Sequence, residues 1–295
     1  MEEPATARRA PIGVFDSGVG GLTVLRALRD AMPGEDFVYL GDTARLPYGT
    51  KSADTVVRYS MQCASLLVER GIRGLVVACN TASASALSAL RTHHPALPVI
   101  GVVEPGARAA VAASAARHVA VIATEATIGG GAYQRAIAGL DAAVRVTARA
   151  CSLFVSMAEE GWTSGPIAEA VAHRYLDPVF DTADPPDTLV LGCTHFPALA
   201  GAIRAVLPPG VRVVDSAQTT AAEVRERLDP ATASRPVAGP AGHRSGRGAA
   251  IPRGRVTWLA TDGAARFAHV GSGFLGEPLD AGNIEIVDLS AGLRA

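Results

Sequence analysis

Two cysteines stand at repeated positions in this sequence. Residues 75–81 read Leu-Val-Val-Ala-Cys-Asn-Thr, and residues 189–195 read Leu-Val-Leu-Gly-Cys-Thr-His. In both, an apolar run ends on a small residue, followed by a cysteine and then by polar side chains. Such runs are typical of buried parallel strands, and ligands in open α/β sheets bind at the carboxyl ends of those strands. We therefore expect Cys79 and Cys193 to face one pocket, where two thiols could move protons on opposite sides of one carbon atom.

Each thiol has a candidate partner that could share its proton. A cysteine near its reference pKa of about 8.5 is a usable base or acid when a neighbouring group shares the proton. Asp16 follows an apolar strand and could position or deprotonate Cys79, and His195 could do the same for Cys193. A histidine after a Cys-Thr pair is equally compatible with a purely structural role. The repetition of the cysteine pattern is what favours the catalytic interpretation.

Polar groups beside the cysteines could hold a carboxylate. Asn80, Thr81 and Thr194 bring one amide and two hydroxyls close to expected helix starts, where backbone N–H groups bind anions. The tripeptide Pro-Tyr-Gly at 47–49 is compatible with an ordinary turn. It is also compatible with backbone N–H groups that face an anion. The sequence leaves both interpretations of this tripeptide open.

The residue content argues against two common kinds of cofactor. Lys51 is the single lysine of the sequence and lies in a polar stretch. A pyridoxal phosphate enzyme needs a lysine for its Schiff base, so that cofactor would depend on this one residue. The spacing of histidines and cysteines does not resemble a zinc site. We therefore expect neither an organic cofactor nor a metal.

The composition is that of an ordinary globular protein. The chain has 295 residues, a length that favours one large or two medium domains. Of these residues 48% are hydrophobic, and the formal net charge is −1. Nothing in this balance predicts a nucleic-acid or membrane partner, and no apolar run approaches the roughly 20 residues of a spanning helix. Residues 1–10 show no secretory signal, so the four cysteines are expected to be free thiols.

Hydrophobic periodicity predicts strands that alternate with helices, which indicates the α/β class with parallel sheets. We expect strands at 11–15, 37–40, 75–79, 98–103, 118–123, 144–150, 189–193, 211–214 and 256–260. We expect helices at 22–30, 52–70, 80–91, 107–116, 165–176 and 264–274. Arg235–Arg255 is rich in Pro, Gly and Arg without periodicity, which predicts a flexible loop. Its arginines could bind a polyanion, but the plain loop is the favoured interpretation.

The other two cysteines are interpreted as structural. Cys63 lies inside the predicted helix 52–70, where a small apolar side chain packs well. Cys151 ends the predicted strand 144–150, but it lacks the polar residues that follow Cys79 and Cys193.

Four ordered motifs resemble those of the cofactor-independent glutamate racemases. They are Asp-Ser-Gly-Val-Gly-Gly at 16–21, Gly-Asp-Thr-x-x-x-Pro-Tyr-Gly at 41–49, Cys-Asn-Thr at 79–81 and Gly-Cys-Thr-His at 192–195. The likeness runs from about Pro11 to Asp215 and returns at 258–276. Related aspartate racemases share the two cysteines but usually carry an acid at the position of His195, which favours glutamate.

The resemblance implies two α/β domains related by a pseudo-twofold axis, with the active site between them. The first domain would comprise residues 1–103 and 215–295, and the second residues 104–214. The substrate would be L- or D-glutamate, with no cofactor, and D-glutamate would serve peptidoglycan synthesis. We further expect a cytoplasmic homodimer that binds neither nucleic acid nor membrane.

By the same resemblance, Cys79 and Cys193 are the two acid/base residues. Cys79 would act on D-glutamate and Cys193 on L-glutamate. Asp16 and His195 would assist them, and Glu159 would be a further polar participant.

The resemblance also implies the substrate contacts. The amino-acid end would be held by Ser17, Asn80, Thr81 and Thr194. The side-chain carboxylate would be held by Tyr48 and Gly49, together with Thr124 and Thr127. Asp16, Pro47 and His195 would also contact the substrate.

The sequence departs from the resemblance in two places and leaves two alternatives. Ser152 and Ser156 stand where the family usually has prolines, and the segment 235–255 is longer than usual. One alternative is a racemase or isomerase of the same superfamily that acts on aspartate or another acidic substrate. The other is a binding protein that keeps the pocket without turnover, against which the two intact cysteines argue.

Overall fold

The computed structural model describes residues 9–229 and 253–289 as parallel strands alternating with helices. The strands are β1 (Ile12–Asp16), β2 (Phe37–Gly41), β3 (Gly74–Val77), β4 (Val99–Gly101), β5 (His118–Ala123), β6 (Arg145–Ala150), β7 (Thr188–Gly192), β8 (Arg212–Asp215), β9 (Val256–Ala260) and β10 (Ile284–Ile286). The helices are α1 (Leu22–Ala31), α2 (Ala53–Glu69), α3 (Asn80–His93), α4 (Val103–Ala113), α5 (Glu125–Gly129), α6 (Ala132–Leu140), α7 (Leu153–Glu159), α8 (Gly165–Phe180), α9 (Ala200–Val206), α10 (Ser216–Leu228) and α11 (Ala264–Leu275). None of these helices is long and apolar enough to cross a bilayer.

The strands form two sheets, and every pairing within them is parallel. The larger sheet has the order β10-β9-β2-β1-β3-β4, and the smaller has the order β6-β5-β7-β8. Strands β1, β2, β3, β5 and β7 are buried along their whole length, as expected for strands covered by helices on both faces. The parallel α/β class predicted from the sequence is confirmed.

The strand order repeats between the two sheets. In each, the first strand of the unit lies between the second and the third, as β2-β1-β3-β4 and as β6-β5-β7-β8. Cys79 follows β3 and Cys193 follows β7, so each cysteine follows the third strand of its unit. The order reverses between the first and third strands, and ligands bind at the carboxyl ends of strands at such a point. The repeat therefore places both cysteines where an α/β sheet receives its ligand.

The two sheets share one apolar core. A continuous cluster of buried side chains includes Val76 of β3 and Leu191 of β7, together with Leu25 of α1 and Val224 of α10. Helix α10 packs on α1, and β9 then pairs with β2 of the larger sheet. This return of the chain supports domain limits at 103 and 215, which stay a proposal.

Several elements differ from the predictions. The helix predicted at 107–116 begins at Val103 and ends at Ala113. Glu-Pro-Gly at 104–106 is typical of a break, but proline is tolerated in a first helical turn, where its missing N–H has no partner to lose. Helices α5, α6, α7, α9 and α10 and strand β10 have no counterpart among the predicted elements. Helices α7 and α9 are each only seven residues long, too short for a clear period.

Most of the predicted loop at 235–255 lies outside the described residues. Its last three residues are described, and the backbone N–H groups of two of them donate hydrogen bonds to the segment after α1. Gly254 N–H donates to Pro33 O at 2.7 Å, and Arg255 N–H donates to Asp36 Oδ1 at 2.6 Å. Residues 253–255 are thus irregular in backbone and anchored to the segment after α1, and the flexibility of the loop stays a prediction.

Candidate active site

A small cavity lies where the carboxyl ends of the two sheets meet. Its volume is about 30 Å³, and both Cys79 and Cys193 line it. The larger sheet and its connections contribute Ser17, Gly18, Leu46, Pro47, Tyr48, Gly49, Cys79, Asn80 and Thr81. The smaller sheet and its connections contribute Thr124, Val155, Glu159, Cys193, Thr194 and His195. A larger groove of about 530 Å³ lies on α8, but its walls are mainly apolar and bring no acid/base pair together.

Cys79 caps the N-terminus of α3. Its sulfur accepts the Ala82 N–H at 3.4 Å and lies 3.6 Å from Ser17 Oγ. Burial raises the pKa of Cys79 to about 12, and the nearby Asp16 carboxylate also raises it. The Ala82 N–H and Ser17 oppose this shift, because both can bond a thiolate. Cys79 therefore rests as a thiol, with two donors ready to stabilise its thiolate.

Asp16 lies behind the cavity rather than in its wall. It is fully buried, and its Oδ2 accepts the Gly18 N–H at 2.9 Å. Its Oδ1 is 3.5 Å from Thr194 Oγ1, so the carboxylate connects the turn after β1 to the turn after β7. Burial raises the pKa of Asp16, and His195 opposes that shift. The position fits an electrostatic influence on the site, and a direct contact with substrate would need a rearrangement.

Cys193 lies at the inner end of a chain of charged groups. His195 Nδ1 is 3.8 Å from Cys193 Sγ, and His195 Nε2 is 3.2 Å from Glu159 Oε1. Glu159 Oε2 in turn lies 3.4 Å from the guanidinium of Arg266. This series of side-chain contacts runs from Arg266 on the surface helix α11, through Glu159 on α7, to the thiol of Cys193.

The charges along this chain support one another. Burial opposes a charge on His195, but hydrogen bonds with Cys193 and Glu159 outweigh it and raise its pKa to about 10. The hydrogen bond from His195 lowers the pKa of Glu159 against the effect of burial, and Arg266 lowers it further. At neutral pH, a histidinium therefore faces the sulfur of Cys193, which is an arrangement that activates cysteines.

Asn80 lines the cavity, and only one end of its carboxamide has a partner among the described residues. The residue is buried at the first position of α3, and its Oδ1 accepts a hydrogen bond from the Tyr133 hydroxyl at 2.8 Å. Its Nδ2 is buried and has no hydrogen-bond partner within residues 9–229 and 253–289. A buried donor without a partner is costly, so its presence in a cavity wall indicates that a ligand accepts from it.

Three threonine hydroxyls form a triangle beside Asn80. Thr81 Oγ1 lies 3.0 Å from Thr124 Oγ1 and 3.1 Å from Thr127 Oγ1, and the last two are 3.0 Å apart. Thr81 and Thr124 line the cavity, whereas Thr127 supports them from behind. Each hydroxyl can donate or accept, so the triangle can turn a proton towards a carboxylate.

The side chain of Tyr48 points away from the acid/base groups. Its hydroxyl donates to the fully buried carboxylate of Asp42, which also binds Arg45. A short 3-10 turn begins at Tyr48, and Pro47, Tyr48 and Gly49 all line the cavity. This placement favours the interpretation in which the backbone of the tripeptide, rather than the phenol, meets an anion.

Two glycines permit the close approach of the two halves of the site. A Cβ atom on Gly20 would lie 2.4 Å from Thr194 Oγ1 and 2.5 Å from His195 Nδ1. A Cβ atom on Gly49 would lie 2.7 Å from Thr124 Cβ. All three distances are shorter than non-bonded atoms allow, so any side chain at Gly20 or Gly49 would force the walls apart.

Sequence reasoning missed several residues of the site. Gly18, Leu46 and Val155 line the cavity, Tyr133 holds Asn80, and Arg266 holds Glu159. Gly18 and Leu46 lie within or beside the recognised motifs, so proximity could have suggested them. Val155, Tyr133 and Arg266 carry no local signal, because their roles depend on how distant elements pack. In the described part of the chain, no cluster of three or more acidic, histidine or cysteine side chains could hold a metal ion.

Comparison with known proteins places the chain in a family. Residues 13–224 match the family model described as Asp/Glu/Hydantoin racemase. The chain belongs to this family. A glutamate racemase of Geobacter metallireducens is 47% identical over 280 residues, which span 95% of this chain and 97% of that protein. The resemblance to racemases is confirmed, and the chain is an amino-acid racemase.

Solved structures of relatives show the same fold. The glutamate racemase of Francisella tularensis in complex with D-glutamate has a TM-score of 0.82 at 34% identity, covering 96% of this chain and 98% of that chain. The glutamate racemase of Thermus thermophilus in complex with beta-chloro-D-alanine has a TM-score of 0.79 at 44% identity, covering 95% of this chain and 98% of that chain. The two-domain fold of the Asp/Glu racemases is thereby confirmed for this enzyme.

Proposed function

We propose that this enzyme interconverts L- and D-glutamate by a two-cysteine mechanism. One observation carries the proposal: two cysteines from equivalent strands line one cavity, next to an amide and hydroxyls suited to a carboxylate. The substrate is supported by relatives named glutamate racemases, one of them solved in complex with D-glutamate. His195 also stands where aspartate racemases usually carry an acid.

In the proposed reaction, a proton leaves Cα on one face and a different proton is added on the other. With D-glutamate, the Cys79 thiolate removes the α-proton and the Cys193 thiol donates its own, which yields L-glutamate. With L-glutamate, the roles reverse. Each sulfur gains or loses one proton per turnover, so the two cysteines must exchange protons with their surroundings before the next cycle.

Neighbouring groups prepare each cysteine for its part. His195 lies 3.8 Å from Cys193 Sγ and can stabilise its thiolate or return a proton to it. Ser17 and the Ala82 N–H serve Cys79 by stabilising its thiolate while the proton is away. Glu159 keeps His195 charged, and Asp16 acts through its field on both sides.

The cavity walls divide between the two carboxylates of the substrate. In this proposal, Asn80, Thr81 and Thr194 bind the α-carboxylate and Ser17 helps to orient the amino-acid end. The backbone at 47–49, with Thr124 and supported by Thr127, binds the side-chain carboxylate. Holding both ends fixes Cα between the two sulfurs, which is the positioning that general acid–base transfer requires.

The chemistry of this proposal needs no cofactor. The thiols supply both the base and the acid, so neither a Schiff base nor a metal takes part. Purified protein should show no absorbance from bound pyridoxal phosphate, and dialysis against a chelator should leave the racemisation rate unchanged. Activity that returns only when pyridoxal phosphate or a metal is added would contradict this part of the proposal.

We also propose a biological setting. The D-glutamate formed would supply peptidoglycan synthesis in the cytoplasm, as the resemblance implies. Residues 1–103 and 215–295 would form one domain and 104–214 the other, and two chains would associate as a homodimer. Sheet membership supports the domain limits, since strands up to β4 and from β9 onward lie in one sheet.

Racemisation in D2O tests the two-base mechanism. The newly formed enantiomer should carry deuterium at Cα, while the early unreacted substrate should stay mostly protonated. L-aspartate, assayed in parallel, should turn over far more slowly than L-glutamate. Faster turnover of aspartate would favour a related racemase, and no turnover of either would favour a binding protein.

Replacement of either cysteine tests the roles directly. Cys79→Ala and Cys193→Ala should each abolish racemisation in both directions, because each direction needs one base and one acid. Cys151→Ala is the matched control, since that buried thiol lies in the core and donates a hydrogen bond to Arg149 O. A Cys193→Ala enzyme that racemises near the wild-type rate would show the two-thiol mechanism to be wrong.

A further inference from the structure

Tyr133 forms a buried hydrogen bond that crosses from the smaller-sheet unit to the larger-sheet unit. It lies on α6, is only 1% exposed, and its hydroxyl donates to Asn80 Oδ1 at 2.8 Å. Asn80 lines the cavity, and its Nδ2 is buried without a hydrogen-bond partner among the described residues. The phenol therefore engages one end of the carboxamide and leaves the other end for the substrate.

The phenol is suited to act as a donor. Burial raises the pKa of Tyr133, and the nearby Cys193 and Asp215 raise it further. Tyr133 therefore stays protonated at neutral pH, and its hydroxyl donates to the Asn80 carbonyl oxygen. A carboxamide that accepts at Oδ1 must present Nδ2, with its two N–H donors, on its opposite side.

The ring of Tyr133 is fixed by close packing on both edges. A Cβ atom on Gly106 of α4 would lie 3.3 Å from Tyr133 Cε1, and one on Gly192 at the end of β7 would lie 3.0 Å from Tyr133 Cε2. The ring thus packs against the residue that directly precedes Cys193. Because α4, α6 and β7 all hold it, the hydroxyl has a defined position relative to both cysteines.

We propose that Tyr133 is a positioning residue that fixes the orientation of the Asn80 carboxamide, so that its N–H groups and not its oxygen meet the substrate carboxylate. This inference rests on the proposed function, because it names how one substrate carboxylate is recognised. The amide nitrogen and oxygen are nearly equal in size, so packing alone does not select between the two orientations. A turned carboxamide would bring its oxygen against the carboxylate and replace a charge-assisted hydrogen bond by repulsion.

The hydroxyl of Tyr133 therefore contributes to binding rather than to proton transfer. Tyr133→Phe should raise KM for both enantiomers about tenfold, the size expected for losing one hydrogen bond to a charged group. Its kcat should stay within about threefold of wild type, and the pH profile should keep its shape, because the acid/base groups are intact. Tyr175→Phe is the matched control, since that hydroxyl accepts the Leu153 N–H at 3.3 Å away from the cavity.

A double-mutant cycle separates this role from general support of the fold. In an Asn80→Ala background, Tyr133→Phe should raise KM no further, because the group through which it acts is gone. An equal rise in KM in both backgrounds, or no rise in Tyr133→Phe alone, would overturn the inference. An unchanged KM with a shifted pH profile would instead assign Tyr133 to Cys193 and would overturn it as well.

A second variant keeps the inference testable if Tyr133→Phe folds poorly. Asn80→Asp retains an acceptor for Tyr133 but places an oxygen where the N–H groups were, so KM should rise more than in Asn80→Ala. A KM equal to or below that of Asn80→Ala would contradict the inference. Wild-type enzyme is assayed in the same series to separate failure of this inference from failure of the proposed function. If wild type does not turn over glutamate, the proposed function itself is contradicted.

Discussion

The two halves of the site place their cysteines at equivalent positions but surround the two sulfurs with different hydrogen-bond partners. Cys79 and Cys193 follow the third strands of units with the same strand order. Around Cys79, the partners are a helix-terminal N–H and the hydroxyl of Ser17. Around Cys193, the partner is His195, backed by Glu159. The repeated backbone sets where the sulfurs stand, and the residues after each strand set how each sulfur holds its proton.

This difference predicts an unequal resting state. Burial and Asp16 raise the pKa of Cys79 to about 12, so it rests as a thiol. His195 has a pKa raised to about 10 by Cys193 and Glu159 against the effect of burial, so a cation rests beside the other sulfur. The free enzyme is thus prepared with a thiol on the Cys79 side and a histidinium beside the sulfur on the Cys193 side. Under the proposed roles, this arrangement suits L-glutamate, because Cys79 then donates the proton and His195 stabilises the thiolate that Cys193 uses as the base.

Among substitutions that test this difference between the partners of Cys79 and Cys193, replacement of His195 should cause the largest loss of activity. His195→Asn removes the ionisable partner of Cys193, and general acid–base assistance of this kind is worth roughly 10²–10⁴-fold in rate. Ser17→Ala removes the side-chain partner of Cys79, a neutral hydrogen bond that contributes roughly five- to tenfold. Steady-state kcat and KM with each enantiomer measure both. Equal losses from the two substitutions would show that the sulfurs are served alike.

An effect of intermediate size should come from replacing Glu159, and it should appear as a change in the pH dependence of kcat/KM. The pKa of His195 is raised, so its cation is present at neutral pH and is lost as pH rises through about 10. Glu159→Gln removes the charge that supports the cation, so the pKa of His195 should fall and the alkaline decline of kcat/KM should move to lower pH. At pH 10 the loss should be about fivefold, which is what a fall of the His195 pKa by about one unit from its value of about 10 gives.

Glu160→Gln is the control for that measurement. Glu160 is its chain neighbour, 62% exposed, and it lies 3.7 Å from Arg266 without reaching His195. Its pH profile should match wild type. An unchanged profile in Glu159→Gln would separate Glu159 from the proton chemistry of the Cys193 side.

The smallest effect should come from Arg266. This residue is 63% exposed, so solvent screens most of its attraction to Glu159. Arg266→Gln should lower kcat/KM about two- to threefold at low ionic strength, and the difference from wild type should vanish near 0.5 M salt, roughly, since exposed ion pairs are screened there. Arg253→Gln is matched in exposure at 60%, but it contacts Glu277 away from the site. A loss in Arg266→Gln that persists at high salt would show a role other than charge.

Much of the fold and part of the site follow from local sequence. Apolar runs that end in polar residues predict the strands of both sheets, because a buried parallel strand leaves a strong local signature. The same runs place Asp16, Asn80 and the two cysteines at strand ends. All predicted site residues except Asp16 and Thr127 line the cavity.

The remainder depends on long-range packing, which local sequence does not encode. Tyr133 meets Asn80, and Arg266 meets Glu159, only because separate elements of the fold are brought together. Helix α10 escapes the prediction because its buried face consists mostly of small or polar residues such as Ala217 and Thr220. Helix α7, which carries Glu159, is too short for a period to appear.

The repeated strand order has a consequence for handedness. Two units built from L-amino acids can be related by rotation but never by reflection, so the surroundings of L- and D-glutamate cannot be mirror images. The enantiomers have equal free energies in water, however, so the ratio of kcat/KM in the two directions must equal unity. An enzyme with unlike halves meets that condition by letting kcat and KM differ between directions in the same proportion. The unequal partners of Cys79 and Cys193 are therefore compatible with a perfectly balanced reaction.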